Sequence, residues 1–422
     1  MTGVQTCALP ISNTVVRGGY GVYYDYVPQD LLIANFTTSA GLTQNSIGPS
    51  PIYPFQFNSD AFNGSVPGPV FTLSDPPCSY PCDIFVTPRN FATPYVQNWN
   101  VNIEQELSKA LALQIGYVGS KGTKLVRLLD LNQADTLGNR NNYPQYGAVD
   151  SLSPVSASTY HALQTTVRSR NWHGLTGFAG YTWSKSLDDA SDGIDFNFAT
   201  VAFPQNSYNL HADHGPSNFD TRHRFTGAFT YDVPKLAGPN WIARGWQLNT
   251  IVTAQSGRPV PIVSANDTSA QNGDVYPTPS NYHQRPDLLA GVNPVNSNWR
   301  SAPDTIGYLN GAAFAQPDYG GPDNLIGSFG NLGRNAIYGP SYLNVDFSLG
   351  KSVRIYEKAT LQFRAEFFNI FNHPNFALPN FFVDPGSSQQ GLITQTPDQA
   401  QTNPGLGGGG PRVVQIALKV IF

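Results

Sequence analysis

Charged residues are scarce in this chain, and long apolar runs are missing. Asp, Glu, Lys and Arg make up 12% of the 422 residues, about half of the roughly 25% usual in soluble domains. No segment approaches the roughly 20 consecutive apolar residues of a transmembrane helix, so any membrane-spanning part has to consist of strands. The formal net charge of -4 comes without a stripe of Lys and Arg, and we therefore expect no nucleic-acid partner.

Cysteine is also rare. Cys78 and Cys82 lie in a Pro-rich segment, DPPCSYPCD, and their spacing fits a small disulfide in an oxidising compartment. A zinc site would need two further ligands, which are not visible nearby. Two free thiols are the remaining alternative.

Catalytic motifs are missing as well. The chain contains no G-x-S-x-G, H-E-x-x-H or P-loop motif, and the glycine run before the last strand lacks the features of a phosphate-binding loop. We therefore expect no enzyme activity and no cofactor.

The N-terminus lacks the charged, apolar and small-residue order of a secretory signal. The segment from Met1 to Ile11, MTGVQTCALPI, is similar to the translation of a sequencing-library adapter. We expect residues 1–12 to be a non-native leader and native sequence to begin near Asn13.

The clearest ordered pattern lies at the C-terminus. Apolar side chains occupy every second position, while Gln415, Ala417 and Lys419 fall between them; the apolar set is Val414, Ile416, Leu418, Val420 and Phe422. A period of two predicts a two-faced strand. The segment 412–422 also has about the 9 to 11 residues that a tilted strand needs to cross a bilayer.

The same period recurs along the whole chain. Nine further strands are predicted at 16–24, 99–107, 111–117, 163–168, 175–184, 225–231, 246–253, 343–349 and 361–367. Long connections, predicted at 25–94, 121–159, 185–221, 256–341 and 372–410, alternate strictly with short ones. This predicts an all-β, antiparallel up-and-down transmembrane β-barrel of about ten strands with long extracellular loops. A soluble β-sandwich or solenoid is the alternative, although its loops are normally short.

Several segments resemble one family of outer-membrane proteins. They are RGGYGVYYD (17–25), TPYVQNWNVNIEQEL (93–107), YVGSKGTKL (117–125), YTWSKSLDD (181–189), FDTRHRF (219–225) and FRAEFFNIFNHPNF (363–376). In order and in sequence they resemble the TonB-dependent receptors related to Oar proteins, of the type abundant in acidobacteria.

The resemblance implies a 22-stranded barrel in the cell outer membrane, filled by an N-terminal plug. Residues 13–422 would then be a partial barrel domain that supplies about the last ten strands, without plug or signal peptide. The implied partners are outer-membrane lipid, the barrel-assembly machinery, the TonB complex acting through the missing plug, and an unidentified extracellular solute. The terminal Phe422, with apolar residues at alternate positions before it, resembles the assembly signal of such barrels.

Three charged side chains are predicted to face the barrel lumen, because they alternate with apolar residues: Arg168, Arg364 and Glu366. They would contact the plug or a solute. The alternative is that they are wall charges satisfied by water and by each other. Aromatic loop residues, namely Tyr53, Phe55, Phe57 and Tyr80, would form a ligand platform or simply pack the loops together.

Two acidic or histidine-containing segments raise the question of metal binding. DDASDGID offers Asp188, Asp189, Asp192 and Asp195 for calcium, but its spacing departs from the calcium-loop motif, and a solvated loop is expected. The second segment offers His211, Asp213, His214, Asp220 and His223 without the periodicity that would bring them onto one face. We expect FDTRHRF instead to mark the entry of a strand, with Arg222 and His223 near the rim.

These observations favour an outer-membrane TonB-dependent receptor that takes up a solute by energy coupling. A surface adhesion or structural barrel without transport is one alternative. A soluble carbohydrate-binding β-protein is another.

Overall fold

The structure is a computed structural model. It describes residues 4–6, 13–24, 82–86, 88, 91–134, 139–191, 204–264, 284–301, 306–317, 329–355, 359–383, 390–398 and 409–421.

Strands dominate the described residues. In chain order they are β1 (Val4–Thr6), β2 (Thr14–Tyr24), β3 (Cys82–Val86), β4 (Tyr95–Ser108), β5 (Leu111–Asp130), β6 (Tyr146–Trp172), β7 (Leu175–Asp188), β8 (Gly215–Pro216), β9 (His223–Asp232), β10 (Trp246–Gln255), β11 (Val263–Ser264), β12 (Asp287–Leu288), β13 (Ile306–Leu309), β14 (Phe314–Ala315), β15 (Tyr342–Arg354), β16 (Thr360–Phe368), β17 (Phe382–Val383), β18 (Gln390–Ile393) and β19 (Val413–Ile421). Helix is limited to α1 (Asn240–Ala243) and three 3₁₀ turns, Leu210–Asp213, Trp299–Ser301 and Gly311–Ala313. None of the described helices has the length and apolar content needed to cross a membrane.

The long strands form one antiparallel meander, which we call the wall. Its hydrogen-bonded order is β1-β2-β4-β5-β6-β7-β9-β10-β15-β16-β19. All ten predicted strands are therefore present, and the alternation of long and short connections is confirmed. Three additions were not predicted: β1, within the predicted leader, pairs with β2, β3 pairs with β6 in parallel, and β8 pairs with β7. The wall is open, because β1 and β19 are not paired with each other within the described residues.

The register of the wall places the predicted apolar positions that the structure describes on one face. Starting from the last strand, one row of cross-strand partners runs Val414, Phe367, Phe347, Thr250 and Phe229. Partners in an antiparallel pair point to the same side of the sheet, and a slip of one residue would reverse a strand's faces. The separate two-residue patterns thus combine into one continuous apolar face, with polar residues on the other.

Short connections at one end of the wall depend on residues with positive φ. At the β6–β7 turn, Asn171 near the end of β6 and His173 have φ of 59° and 50°, and Gly174 has φ of 89°. A Cβ added to Gly174 would lie 2.7 Å from the carbonyl oxygen of Asp232. This turn therefore requires glycine for both its backbone conformation and its space.

The β5–β6 hairpin corrects the prediction of a loop over 121–159. β5 continues to Asp130 and β6 begins at Tyr146, with register shifts beside Leu125. The hairpin therefore extends beyond the wall, and its far end is buried: Leu128 and Leu152 are 1% and 0% exposed. The sequence signal was missed because both faces are covered here, so no two-residue polarity pattern survives.

The long connections also fold into a compact structure, which we call the loop cap. It comprises the far end of the β5–β6 hairpin and residues 204–222, 256–264, 284–301, 306–317, 329–341, 369–383 and 390–398. Three small two-stranded sheets lie within it, β11–β17, β12–β14 and β13–β18. Its apolar core consists of Val260, Ile262, Tyr308, Leu309, Ala313, Phe314, Leu332, Ile337, Val383 and Ile393. The prediction of long connections was right, but those described are packed rather than irregular.

Candidate functional site

The polar face of the wall carries a ladder of side-chain hydrogen bonds. Arg17 and Glu104 form an ion pair at 3.3 Å. Further along, Gln247 Nε2 donates to Asp232 at 2.9 Å, and Thr230 Oγ1 donates to Asn249 at 2.8 Å. The polar side chains on this face therefore satisfy one another's hydrogen-bonding groups, and no charge has to be buried.

Arg364 and Glu366 lie on this polar face, within an open trough of about 330 Å³ formed by β10, β15 and β16. Arg364 Nη1 is 3.3 Å from Glu366 Oε1, and the two side chains are 49% and 26% exposed. An exposed pair of this kind contributes about 0–1 kcal/mol. This geometry matches the interpretation in which wall charges neutralise each other.

Arg168 lies on the same face but at a different place. It contributes to an open groove of about 310 Å³ at the short-turn end of β4, β5 and β6, together with Arg170, Lys109, Glu104 and Glu106. Its cross-strand partners are Ala112 and Phe178. The structure thus does not bring Arg168 together with Arg364 and Glu366.

An apolar row that was not predicted from the sequence interrupts the polar face. Phe178 pairs with Ala228, and Ala228 pairs with Ile251. Phe178 and Ile251 are 42% and 53% exposed. Only the cross-strand register could have shown this row, because each strand contributes a single apolar residue to it.

The loop cap contains a buried charge cluster, which we call the arginine cluster. Its centre is Asp213, 2% exposed, whose two carboxylate oxygens accept from Arg127 at 2.9 Å and Arg285 at 2.6 Å. Arg334 donates to the backbone oxygen of Asp213 at 2.7 Å and is also ion-paired with Asp188. Three guanidinium groups from three separate chain segments therefore meet two carboxylates.

The arginine cluster is crowded with positive charge. Burial, and then the nearby charge of Arg127, lower the pKa of Arg334 from 12.5 to about 10. Arg127 is 1% exposed, and its Nε and Nη1 have no hydrogen-bond partner among the described residues. Because buried charges are costly unless paired, the two carboxylates are essential to this arrangement.

The cluster corrects one prediction for the DDASDGID segment. Asp188 is 2% exposed and bonded to Arg334 and Ser191, so it is not part of a solvated loop. Asp189 instead pairs with His214 at 2.8 Å and accepts from the backbone N–H of Ala157. Asp192 and Asp195 lie outside the described residues.

The second metal candidate segment is dispersed over separate partners. Asp213 belongs to the arginine cluster, and Asp220 accepts from Lys185 at 3.1 Å. His223 begins β9, as expected for a strand entry, and lies 2.7 Å from the Tyr181 hydroxyl. The described part of the chain holds no group of three or more His, Cys, Asp or Glu suited to a metal ion.

The last strand keeps its predicted alternation. Val414, Ile416, Leu418 and Val420 lie on the apolar face and are 44–69% exposed. Phe422 lies outside the described residues, as do Cys78 and the aromatic residues Tyr53, Phe55, Phe57 and Tyr80. Cys82 begins β3, so the disulfide remains a prediction.

Tyr308 in the loop cap provides a prediction about alkaline pH. Burial raises its pKa from 10.0 to about 12, and its hydroxyl donates to the carbonyl oxygen of Tyr338 at 2.7 Å. Between these values the folded protein holds a proton that the unfolded chain loses, so the stabilisation is complete below pH 10 and is lost as pH rises to about 12. In an ultraviolet titration, Tyr308→Phe should remove one tyrosine from those that titrate late. An unchanged titration curve would contradict this.

No curated protein matches the sequence. Among solved structures, the outer membrane transporter YddB from Escherichia coli is similar at 10% identity, covering 97% of this chain and 38% of that one, with a TM-score of 0.44. BauA, the ferric preacinetobactin receptor from Acinetobacter baumannii, is similar at 10% identity, covering 99% and 35%, with a TM-score of 0.42.

The chain thus spans well under half the length of these two structures. TM-scores below 0.5 do not establish a shared topology, and no residue role is transferred from them. The family comparison is more extensive, because the model of the outer membrane beta barrel domain matches residues 7–415, starting within the predicted leader. The chain belongs to the outer membrane β-barrel domain family.

Proposed function

We propose that this chain forms part of the wall and loop cap of a TonB-dependent outer-membrane receptor that imports an extracellular solute by energy coupling. Family membership puts the chain in the outer membrane, which removes the soluble alternatives. The proposal goes further, because a barrel wall alone does not distinguish import from adhesion.

One observation carries the proposal. The apolar row Phe178, Ala228 and Ile251 lies on the face that would line the barrel, with Arg168 beside Phe178 and Asp346 beside Ile251. A water-filled channel favours polar lining residues. Exposed apolar side chains flanked by charges instead suit a surface that another protein domain covers.

In this proposal the covering domain is the plug that the Oar-type resemblance implies. Arg168, next to Phe178, would contact it, while Arg364 and Glu366 would form a wall pair or meet the solute. The plug and the other strands of a 22-stranded barrel would belong to a longer protein of which residues 13–422 are one part. TonB would act on the plug, and the apolar positions of β19, followed by Phe422, would serve recognition by the barrel-assembly machinery.

Photo-crosslinking in cells that make the full-length protein tests this proposal. A photoreactive residue at position 178 should crosslink within the same polypeptide to the plug, and the periplasmic part of TonB should co-purify. The matched control is position 229, on the apolar face of the neighbouring β9, which should crosslink to lipid only. Absence of an internal crosslink at position 178 would reject a plugged barrel.

A surface adhesion barrel is the second candidate. The observation that favours it is the packed loop cap, whose core and arginine cluster give the long connections a fixed shape. Co-purification separates the two candidates, because an adhesion barrel has no need of TonB.

A further inference from the structure

Two tyrosine–histidine pairs repeat one geometry on the apolar face of the wall. Tyr117 Oη lies 2.7 Å from Nδ1 of His161, and Tyr181 Oη lies 2.7 Å from Nδ1 of His223. The rings stack with centroids 6.1 and 6.2 Å apart and interplanar angles of 16° and 21°. In each pair the histidine lies on the neighbouring strand, two residues from the tyrosine's cross-strand partner.

The hydrogen bond in each pair involves Nδ1, which leaves the second ring nitrogen, Nε2, facing outward. We assign the phenol O–H as the donor and Nδ1 as the acceptor, and in this tautomer the hydrogen resides on Nε2. Both histidines are exposed, and no described residue accepts from either Nε2. Each pair therefore presents an unused N–H donor on the face that meets lipid.

The two pairs lie at the height on the wall where the membrane interface is expected. Trp183 is the cross-strand partner of His223. Gly119 is the cross-strand partner of both Trp99 and His161, and its missing side chain leaves space for the Trp99 ring. The long connections leave the wall just beyond this row. Exposed Trp and Tyr mark the headgroup level of a bilayer, so the two N–H donors lie where headgroups lie.

The charge at this level is positive. Lys121 is exposed on the same face, two residues along β5 from Gly119, the partner of His161. Lys185 faces His161 directly and is held by Asp220 at 3.1 Å and by the Tyr338 hydroxyl at 3.0 Å.

The acidic groups that face this region are already engaged. Asp220 has a fully buried side chain and binds Lys185. Asp189, further toward the loop cap, pairs with His214. Neither carboxylate competes for the exposed donors.

We propose that the two Tyr–His pairs form two binding sites, the first together with Lys121, each for the phosphate group of an anionic membrane lipid in the leaflet next to the loop cap. Phosphate oxygens accept strongly from N–H groups and from ammonium groups. The acyl chains of the same lipid would lie against the apolar face below. This inference depends on outer-membrane location and not on the transport proposal, so either can fail alone.

Native mass spectrometry of the full-length protein in neutral detergent provides the test. Dioleoyl phosphatidic acid and dioleoylglycerol have the same acyl chains but differ in the phosphate group. We expect the wild type to retain phosphatidic acid about tenfold more strongly than a His161→Phe, His223→Phe double variant, because each site loses a charge-assisted hydrogen bond while keeping a ring. Tyr20→Phe, in the row of Trp99 but outside both pairs, is the matched control and should bind as wild type.

Several outcomes would overturn the proposal. Equal retention of phosphatidic acid by the wild type and the double variant would do so. If the wild type retained dioleoylglycerol as strongly as phosphatidic acid, the phosphate group would contribute nothing and the pairs would be part of an ordinary aromatic belt. Displacement of phosphatidic acid by inorganic phosphate would point to free phosphate as the ligand. Should the histidine variant not fold, Tyr117→Phe with Tyr181→Phe replaces it. This variant removes the hydrogen bonds that keep the imidazole hydrogen on Nε2, so phosphatidic acid binding should weaken, and unchanged binding would equally reject the sites.

Discussion

Replacing Asp213 with asparagine is expected to destabilise the loop cap by about 3–5 kcal/mol. The carboxylate is 2% exposed and accepts from Arg127 and Arg285, which are 1% and 8% exposed in their side chains. Asparagine is nearly the same size but carries no charge, so both guanidinium groups would stay buried without their counterion. Arg334, whose pKa burial and Arg127 already lower to about 10, would lose a compensating negative charge nearby.

Hydrogen exchange and limited proteolysis of the loop cap measure this effect directly. The matched control is Glu366→Gln, which removes the same type of group from an exposed pair with Arg364 and should change stability by less than about 1 kcal/mol. Adding Arg127→Met to Asp213→Asn removes one unpaired charge and should recover part of the loss. If the loop cap is equally protected from hydrogen exchange and proteolysis in Asp213→Asn and in Glu366→Gln, the arginine cluster does not hold the loops together.

Replacing Phe347 with arginine is expected to destabilise the membrane-embedded wall by about 2–4 kcal/mol. Phe347 lies near the middle of β15 on the apolar face, between Thr250 and Phe367, with its ring centroid 6.3 Å from that of Phe367. A charged side chain at this position would have to enter hydrocarbon, where no polar partner is available.

Ser348→Arg is the matched control, one residue further along the same strand. Ser348 lies on the polar face and has Glu366 as its cross-strand partner, so an arginine there gains an acidic neighbour and should be tolerated. Unfolding in lipid vesicles, followed by loss of the heat-resistant folded form, compares the two variants. Equal stability of the two would mean that the faces of β15 have been assigned wrongly.

The strands of the wall were predictable because each is half-buried in the same way. In β16, Leu361, Phe363 and Phe367 alternate with Gln362, Arg364 and Glu366, and a period of two is visible wherever one face meets an apolar medium and the other a polar one. The two-residue rule also fixes which of these side chains share a face. For this reason the polar-face location of Arg168, Arg364 and Glu366 followed from the sequence, while their contacts did not.

The predictions failed in segments where buried and exposed residues do not alternate along the chain. The outer part of the β5–β6 hairpin is covered on both sides, so Leu128, Leu152 and the buried Arg127 look like loop sequence. Asp188 and Asp213 lie in segments rich in acidic residues and histidine, where solvation is the ordinary expectation. Their burial depends on Arg285 and Arg334, which are distant in the chain, and nothing in the local sequence indicates such a partner.

Local residue patterns specify the strand positions of the wall, the two faces of each strand and the alternation of long and short connections. These properties are local, because they depend on residues two apart and on where an apolar run stops. Contacts between residues of different segments become visible only in the folded chain: the row Phe178, Ala228 and Ile251, the two Tyr–His pairs, and the arginine cluster centred on Asp213. Register and long-range ion pairing depend on contacts between segments far apart in the chain, and one sequence carries no local record of them.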